Sequence, residues 1–169
     1  MSANPTDQNA KTVYADGGFD LFQDVKKTVY ADGVFDLFHP GHIAFLEKAR
    51  AVGGPDARLL VGVITDEDAQ WKRQPVMSHA ERVAMVRHCT VVDSVVERPP
   101  LVLTAAFLDE YAIDFVVHGD DSTQEKFFKV PLERGCMRYV GYTPGVSTSA
   151  IIARIQARAA VVPSPVADK

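Results

Sequence analysis

Strand-like and helix-like segments alternate five times along this chain, and no other property of the sequence narrows its fold as far. Lys27 to Tyr30 is β-branched and aromatic, Gly33 offers a sharp turn, and Pro40 with the spacing Ile43, Leu46, Ala49 opens a helix. Gly53-Gly54-Pro55 stops that helix. Arg58 to Ile64 is the near-continuous apolar run of a strand covered on both faces, and residues 66 to 77 read as a polar loop. Ser78 with Glu81 is a capping-box start to a second helix, Val91 to Val96 a third strand, and Thr104 opens a helix through about Tyr111. Asp114 to His118 and Met137 to Gly141 complete the strands, with helical sequence from Glu125 to Arg134, interrupted around Pro131, between them. Ser147-Thr148-Ser149 caps a last helix from Ala150 to about Ala159. The alternation predicts one α/β domain, a Rossmann-like, doubly wound, five-stranded parallel sheet.

The 169 residues suffice for one well-buried domain and are too few for two. No apolar run approaches the roughly 20 residues that span a bilayer, so no stable membrane insertion is expected. The N-terminus lacks the basic start and apolar centre of a signal peptide, which predicts a cytoplasmic protein. Cys89 and Cys136 have no metal-ligand spacing and fit reduced thiols. A formal charge of −4 gives no general attraction to nucleic acid, so an anionic ligand needs a local cluster of cations. Residues 11 to 24, KTVYADGGFDLFQD, repeat 27 to 40, KTVYADGVFDLFHP, at 11 of 14 positions. Only one copy can occupy the first strand, and the second is joined to the helix that follows. Residues 1–26 are therefore expected outside the core, 27–160 as the domain, and 161–169 as a loose tail.

Ligands of doubly wound sheets bind beyond the carboxyl ends of the strands. Four polar clusters fall at such ends: Asp32 to His42, Asp66 to Arg73, His118 to Asp121, and Tyr142 to Ser149. His39 and His42 flank Gly41 at a helix N-terminus, where free amides attract anions and imidazoles can donate to one phosphate. Each cluster has a plainer reading. The histidines also fit a metal site lacking further nearby ligands, Ser147 and Thr148 fit simple caps, Lys72, Arg73 and Arg82 fit solvated charges, and Asp120-Asp121 fits a turn.

YADGVFDLFHPGH resembles the signature of the cytidylyltransferases that make CDP-alcohols, with His39, Gly41 and His42 supplying an HxGH motif. GVSTSAIIARI, WKRQPVMSHAER and VVHGDD resemble three further motifs of that family in the same order, from Lys27 to about Ile155. The resemblance implies His39, His42 and Lys72 as catalytic residues. It implies nucleotide contacts from Gly33, Phe35, Gly41, Arg82, His118, Asp120, Thr143, Gly145, Ser147 and Thr148, with Asp32 and Lys72 binding the acceptor. It implies CTP carrying Mg²⁺, with no protein metal ligand assigned, a phosphoalcohol acceptor and a homodimer. Ethanolamine phosphate is favoured over choline phosphate and glycerol 3-phosphate, because TDED at 65 to 68 and VHGDD at 117 to 121 are more like the ethanolamine enzymes. A nucleotide-binding domain with little activity is the alternative of another class. Three departures stand out: Tyr142 replaces the arginine that precedes the GxST segment, Thr90 an arginine of the dimer segment, and Ala150 an aspartate.

Overall fold

The computed structural model describes residues 26–70, 73–120, 125–141 and 143–161. Five parallel strands, β1 (Thr28–Gly33), β2 (Arg58–Val63), β3 (Ser94–Val96), β4 (Phe115–Gly119) and β5 (Met137–Val140), form one sheet in the order β3-β2-β1-β4-β5. The order reverses between β1 and β4. The alternation therefore gives the doubly wound sheet that the sequence predicts.

Strand periodicity divides the core between the two faces. Val29 and Ala31 of β1 pack with Leu46 and Ala49 of α1 (Pro40–Val52) and with Val83 and Val86 of the helix spanning His79–Arg87. Tyr30 points the other way, into Leu103, Phe107, Leu108 and Val116, so β1 is covered on both sides. In β2, an ideal Cβ on Gly62 lies 2.2 Å from the Tyr30 hydroxyl oxygen and 2.9 Å from its ring. Gly62→Ala must push a fully buried tyrosine off its partner Asp32, and a loss of about 2 kcal/mol in a urea unfolding titration is expected.

Several boundaries differ from the sequence reading. β1 runs on to Gly33, because its register with β2 continues through Asp32↔Gly62 and Gly33↔Val63. Gly33 is accordingly not the turn. Phe35 and Leu37 take the left-handed conformation instead, at φ 54° and 48°. The expected polar loop after β2 begins with a short helix, α2 (Asp66–Ala69), because the Thr65 hydroxyl accepts from the Asp68 amide at 3.1 Å and three acidic residues occupy its first turn. The third helix, α3, is His79–Arg87, and Ser78 and Glu81 form its capping box as predicted.

The third strand is shorter than Val91 to Val96. Val92 donates to the Cys89 carbonyl in a turn, so Val91 and Val92 reach the core from outside the sheet. Helix α4 (Ala105–Glu110) is capped by Thr104. Between β4 and β5 lie a 3₁₀ turn at Glu125–Phe127 and helix α5 (Lys129–Glu133), whose first turn accommodates Pro131. The last helix, α6 (Thr148–Val161), starts two residues before the expected Ala150. The repeat at 11 to 24 and the tail from 162 lie outside the described residues.

Candidate active site

The carboxyl ends of β1 and β4, where strand order reverses, open into a cavity of about 650 Å³. Asp32, Gly33 and the 34–36 loop form one wall, His118 and Gly119 another, and the N-termini of α1 and α6 converge across it. The loop is held by Asp36, whose side chain is only 2% exposed. Its carboxylate accepts from the amides of Val76 and Met77 at 3.0–3.1 Å. The Thr148 hydroxyl donates to its carbonyl at 3.1 Å, so one residue ties the loop to both the segment before α3 and the start of α6.

His39 is the N-cap of α1. Its Nδ1 accepts from the Gly41 amide at 3.1 Å, while the His39 amide donates to His42 Nδ1 at 3.4 Å. In the neutral rings, Nδ1 as acceptor leaves the proton on Nε2 of each histidine. The His39 Nε2 lies 3.4 Å from the Thr148 hydroxyl, and the two imidazoles stack with centroids 3.8 Å apart. Phe35 meets the His42 ring edge-on at 5.4 Å, and Phe38 lies against it at 5.5 Å. Burial lowers the His39 pKa below the ordinary histidine value, so the ring is held neutral and N–H donating at neutral pH. A Cβ on Gly41 would lie 3.0 Å from the His39 ring and 3.2 Å from the Val146 carbonyl, so only glycine permits this approach of α1 to the segment before α6. Ser147 caps α6 by accepting from the Ala150 amide at 3.1 Å.

At the opposite wall, Asp32 accepts from the Tyr30 hydroxyl at 3.4 Å. Burial pushes its carboxyl up to about 6, partly opposed by the charge of His118. The His118 ring packs on Phe128 at 5.0 Å and its Nδ1 lies 3.3 Å from the Gly119 carbonyl.

The cytidylyltransferase-like family model matches residues 30–154, which include every wall of this cavity. The chain belongs to the cytidylyltransferase-like family. It is 44% identical to a probable choline-phosphate cytidylyltransferase of Schizosaccharomyces pombe over 90% of this chain and 39% of that protein. It is 40% identical to the ethanolamine-phosphate cytidylyltransferase of Dictyostelium discoideum over 87% of this chain and 38% of that protein. The chain thus spans about two fifths of the length of these relatives. A lipopolysaccharide core biosynthesis protein from Thermoplasma volcanium superposes with a TM-score of 0.56 at 23% identity, covering 71% of this chain and 98% of that one, which shows a shared fold.

Within this cytidylyltransferase-like domain, Asp32, Gly33, Phe35, Gly41, His39, His42, His118, Ser147 and Thr148 of the predicted site line one cavity. Arg82 does not. It is completely buried, donating to the Val34 carbonyl at 2.5 Å and to Asp66 at 2.6 Å, and so fixes the loop from behind. Asp120, Thr143 and Gly145 lie beyond the lining. Asp120 is exposed at the end of β4, the Thr143 hydroxyl lies 3.0 Å from the Lys48 ammonium, and Gly145 makes a turn at φ 105°. Lys72 lies outside the described residues.

Two charged lining residues were given no site role from the sequence, Asp36 and Arg73. The signal for Asp36 was a lone carboxylate inside the apolar run Val34 to Phe38; for Arg73 it was its place in the polar cluster Asp66 to Arg73, where the plainer reading is a solvated charge.

Proposed function

We propose that this domain transfers the cytidylyl group of CTP to a phosphoalcohol, with ethanolamine phosphate as the favoured acceptor, giving CDP-ethanolamine and pyrophosphate for phospholipid synthesis. The observation that carries this reading is the convergence of the two stacked histidines and the N-terminus of α6 on one cavity, with His39 Nε2 and the Thr148 hydroxyl 3.4 Å apart. Such a site can hold phosphates and stabilise their charge through N–H donors without supplying a nucleophile. None is needed. A phosphate monoester has its second pKa at about 6, so its oxygen is already anionic at neutral pH. That oxygen attacks the α-phosphorus, the bond to the bridging oxygen breaks, and pyrophosphate leaves with the electron pair. The histidine N–H groups and the α6 amides stabilise the charge that builds on the phosphates. Mg²⁺ is assigned to the phosphates of CTP, where it would supply further charge neutralisation. No helix among the described residues is long and apolar enough to cross a membrane. A homodimer working in the cytoplasm is the setting proposed for this chemistry.

The acceptor reading rests on Asp32. A buried carboxylate at the cavity wall is suited to an ammonium that donates hydrogen bonds. The aromatic lining among the described residues is Phe35 and Phe45, without the tyrosine or tryptophan that favours a quaternary ammonium. Choline phosphate is the second reading, favoured by the similarity to the choline-phosphate enzyme of S. pombe.

Asp32 also gives a pH prediction. Its carboxyl ionises at about 6, so ammonium binding is strong above that pH and fails below it as the carboxyl takes up a proton. The acceptor phosphate protonates in the same range. Affinity for ethanolamine phosphate should therefore fall through two protonations between roughly pH 7 and 5, and through one in Asp32→Asn. A folded pKa raised above the unfolded one contributes stability that is present below the unfolded value and lost as pH rises through 6. Asp32→Asn is thus expected to raise the unfolding midpoint at pH 8 and leave it unchanged at pH 4, while raising KM for ethanolamine phosphate at least about ten-fold at pH 8. Turnover with ethanolamine, choline and glycerol phosphates, each assayed by pyrophosphate release, tests the proposal.

A further inference from the structure

The resemblance leaves this cavity short of a cation, because Tyr142 stands where the related motif has arginine. Arg138, the nearest arginine in sequence, does not serve. Its guanidinium donates to the carbonyls of Gly135 and Met137 and lies over the Phe115 ring at 4.9 Å, outside the lining. Among the described residues, Arg73 is the one lysine or arginine that lines the cavity.

Arg73 reaches it from the segment between α2 and α3. One guanidinium nitrogen lies 3.5 Å from the buried Asp36 carboxylate, and the other donates to the Ser149 hydroxyl in the first turn of α6 at 3.3 Å. Both contacts are long, and the side chain keeps 35% of its surface exposed. A guanidinium has five N–H groups in a planar fork, so these two partners orient it and leave donors for an oxyanion. It stands with Ser147, Thr148 and the α6 amides on one wall, with His39 and His42 lining the same cavity. From this geometry we infer that Arg73 is the phosphate-binding cation of the nucleotide site, held by Asp36 and Ser149, in the role that position 142 does not fill in this chain.

The inference rests on the nucleotidyl-transfer reading, and its test separates the two. Binding of CTP, cytidine and inorganic tripolyphosphate is measured by calorimetry for the wild type, Arg73→Lys, Arg73→Ala and the double variant Arg73→Ala/Tyr142→Arg. Arg73→Ala is expected to weaken CTP and tripolyphosphate by about ten- to hundred-fold and to leave cytidine unchanged. Arg73→Lys should recover part of the loss, since one charge is restored without the fork, and the double variant most of it. A counter-ion serving only Asp36 predicts something else: a lower unfolding midpoint with an unchanged ratio of CTP to cytidine affinity. That result overturns the inference. Failure of the wild type to turn over any phosphoalcohol sinks the parent reading instead, while the tripolyphosphate comparison still decides the role of Arg73.

Discussion

His42→Asn is expected to lower kcat for cytidylyl transfer by about 10²- to 10³-fold with little change in the unfolding midpoint. The two effects separate because the two roles proposed for His42 sit on two atoms. Its Nδ1 accepts from the His39 amide and closes the start of α1, and an asparagine oxygen can still accept there. The imidazole N–H on the cavity side has no counterpart in the shorter amide, so a donor to the developing phosphate charge is lost. Alanine at the same position removes both the donor and the cap acceptor, so His42→Ala should lose the same activity with added instability. Steady-state kinetics with denaturant unfolding on all three proteins checks this. Equal turnover in wild type and His42→Asn would remove the ring from the reaction and leave it a cap.

The largest stability effect is expected at Arg82. Arg82→Met keeps most of the volume of a completely buried side chain, yet leaves the Val34 carbonyl and Asp66 without their partner. Leaving the Val34 carbonyl unpaired and ending the charge-assisted bond to the partly exposed Asp66 are together expected to cost about 3 kcal/mol. The pH dependence has a definite sign. The hydrogen bond from Arg82 is the main reason that the Asp66 pKa lies below the ordinary aspartate value, so the pair stabilises the fold above that ordinary value and the contribution is lost as pH falls through the lowered one. The gap between wild type and Arg82→Met should therefore be full at pH 7 and narrow in acid. Val34 lines the cavity, so the same variant should also raise KM for CTP, a consequence of a loosened loop and not of a missing ligand contact. A gap that does not change with pH would place the role of Arg82 in packing alone.

Legibility in the sequence tracked how local the deciding interaction is. The Ser78 and Glu81 capping box closes within one turn, and the strand, loop and helix around HPGH are specified by residues within a few positions of one another. These were readable. Helix α2 was not, because four residues contain no hydrophobic period, although Thr65 with Asp68 carried a cap signal that could have been used. The left-handed turns at Phe35 and Leu37 were hidden behind Gly33, the residue that a turn would ordinarily select; here the sheet register holds Gly33 in the strand. Val91 and Val92 had the apolar character of a strand and satisfied it from a turn.

The same division runs through the site. Nine of the predicted residues meet in one cavity because their motifs sit at strand ends and helix starts that any doubly wound sheet brings together. Arg82 was legible as a conspicuous arginine and not as a buried one, since its partners Val34 and Asp66 are 48 and 16 residues away. Arg73 and Asp36 meet across α1, β2 and α2, which separate them in the chain, and no window of sequence contains both as a pattern. What the fold supplies, and the sequence does not display, is the convergence of charge.

The two histidines and the α6 N-terminus are proposed to form a working cytidylyl-transfer site. The most direct measurement is phosphorus NMR of a mixture of the protein, CTP, Mg²⁺ and ethanolamine phosphate, followed over time. The diphosphate doublets of CDP-ethanolamine are expected to grow at the rate at which pyrophosphate appears, and neither to grow in His42→Asn. Pyrophosphate or phosphate released without a CDP-alcohol would make the domain a hydrolase, and an unchanged spectrum with CTP bound would make it a nucleotide-binding module. Either result rules out cytidylyl transfer at these histidines.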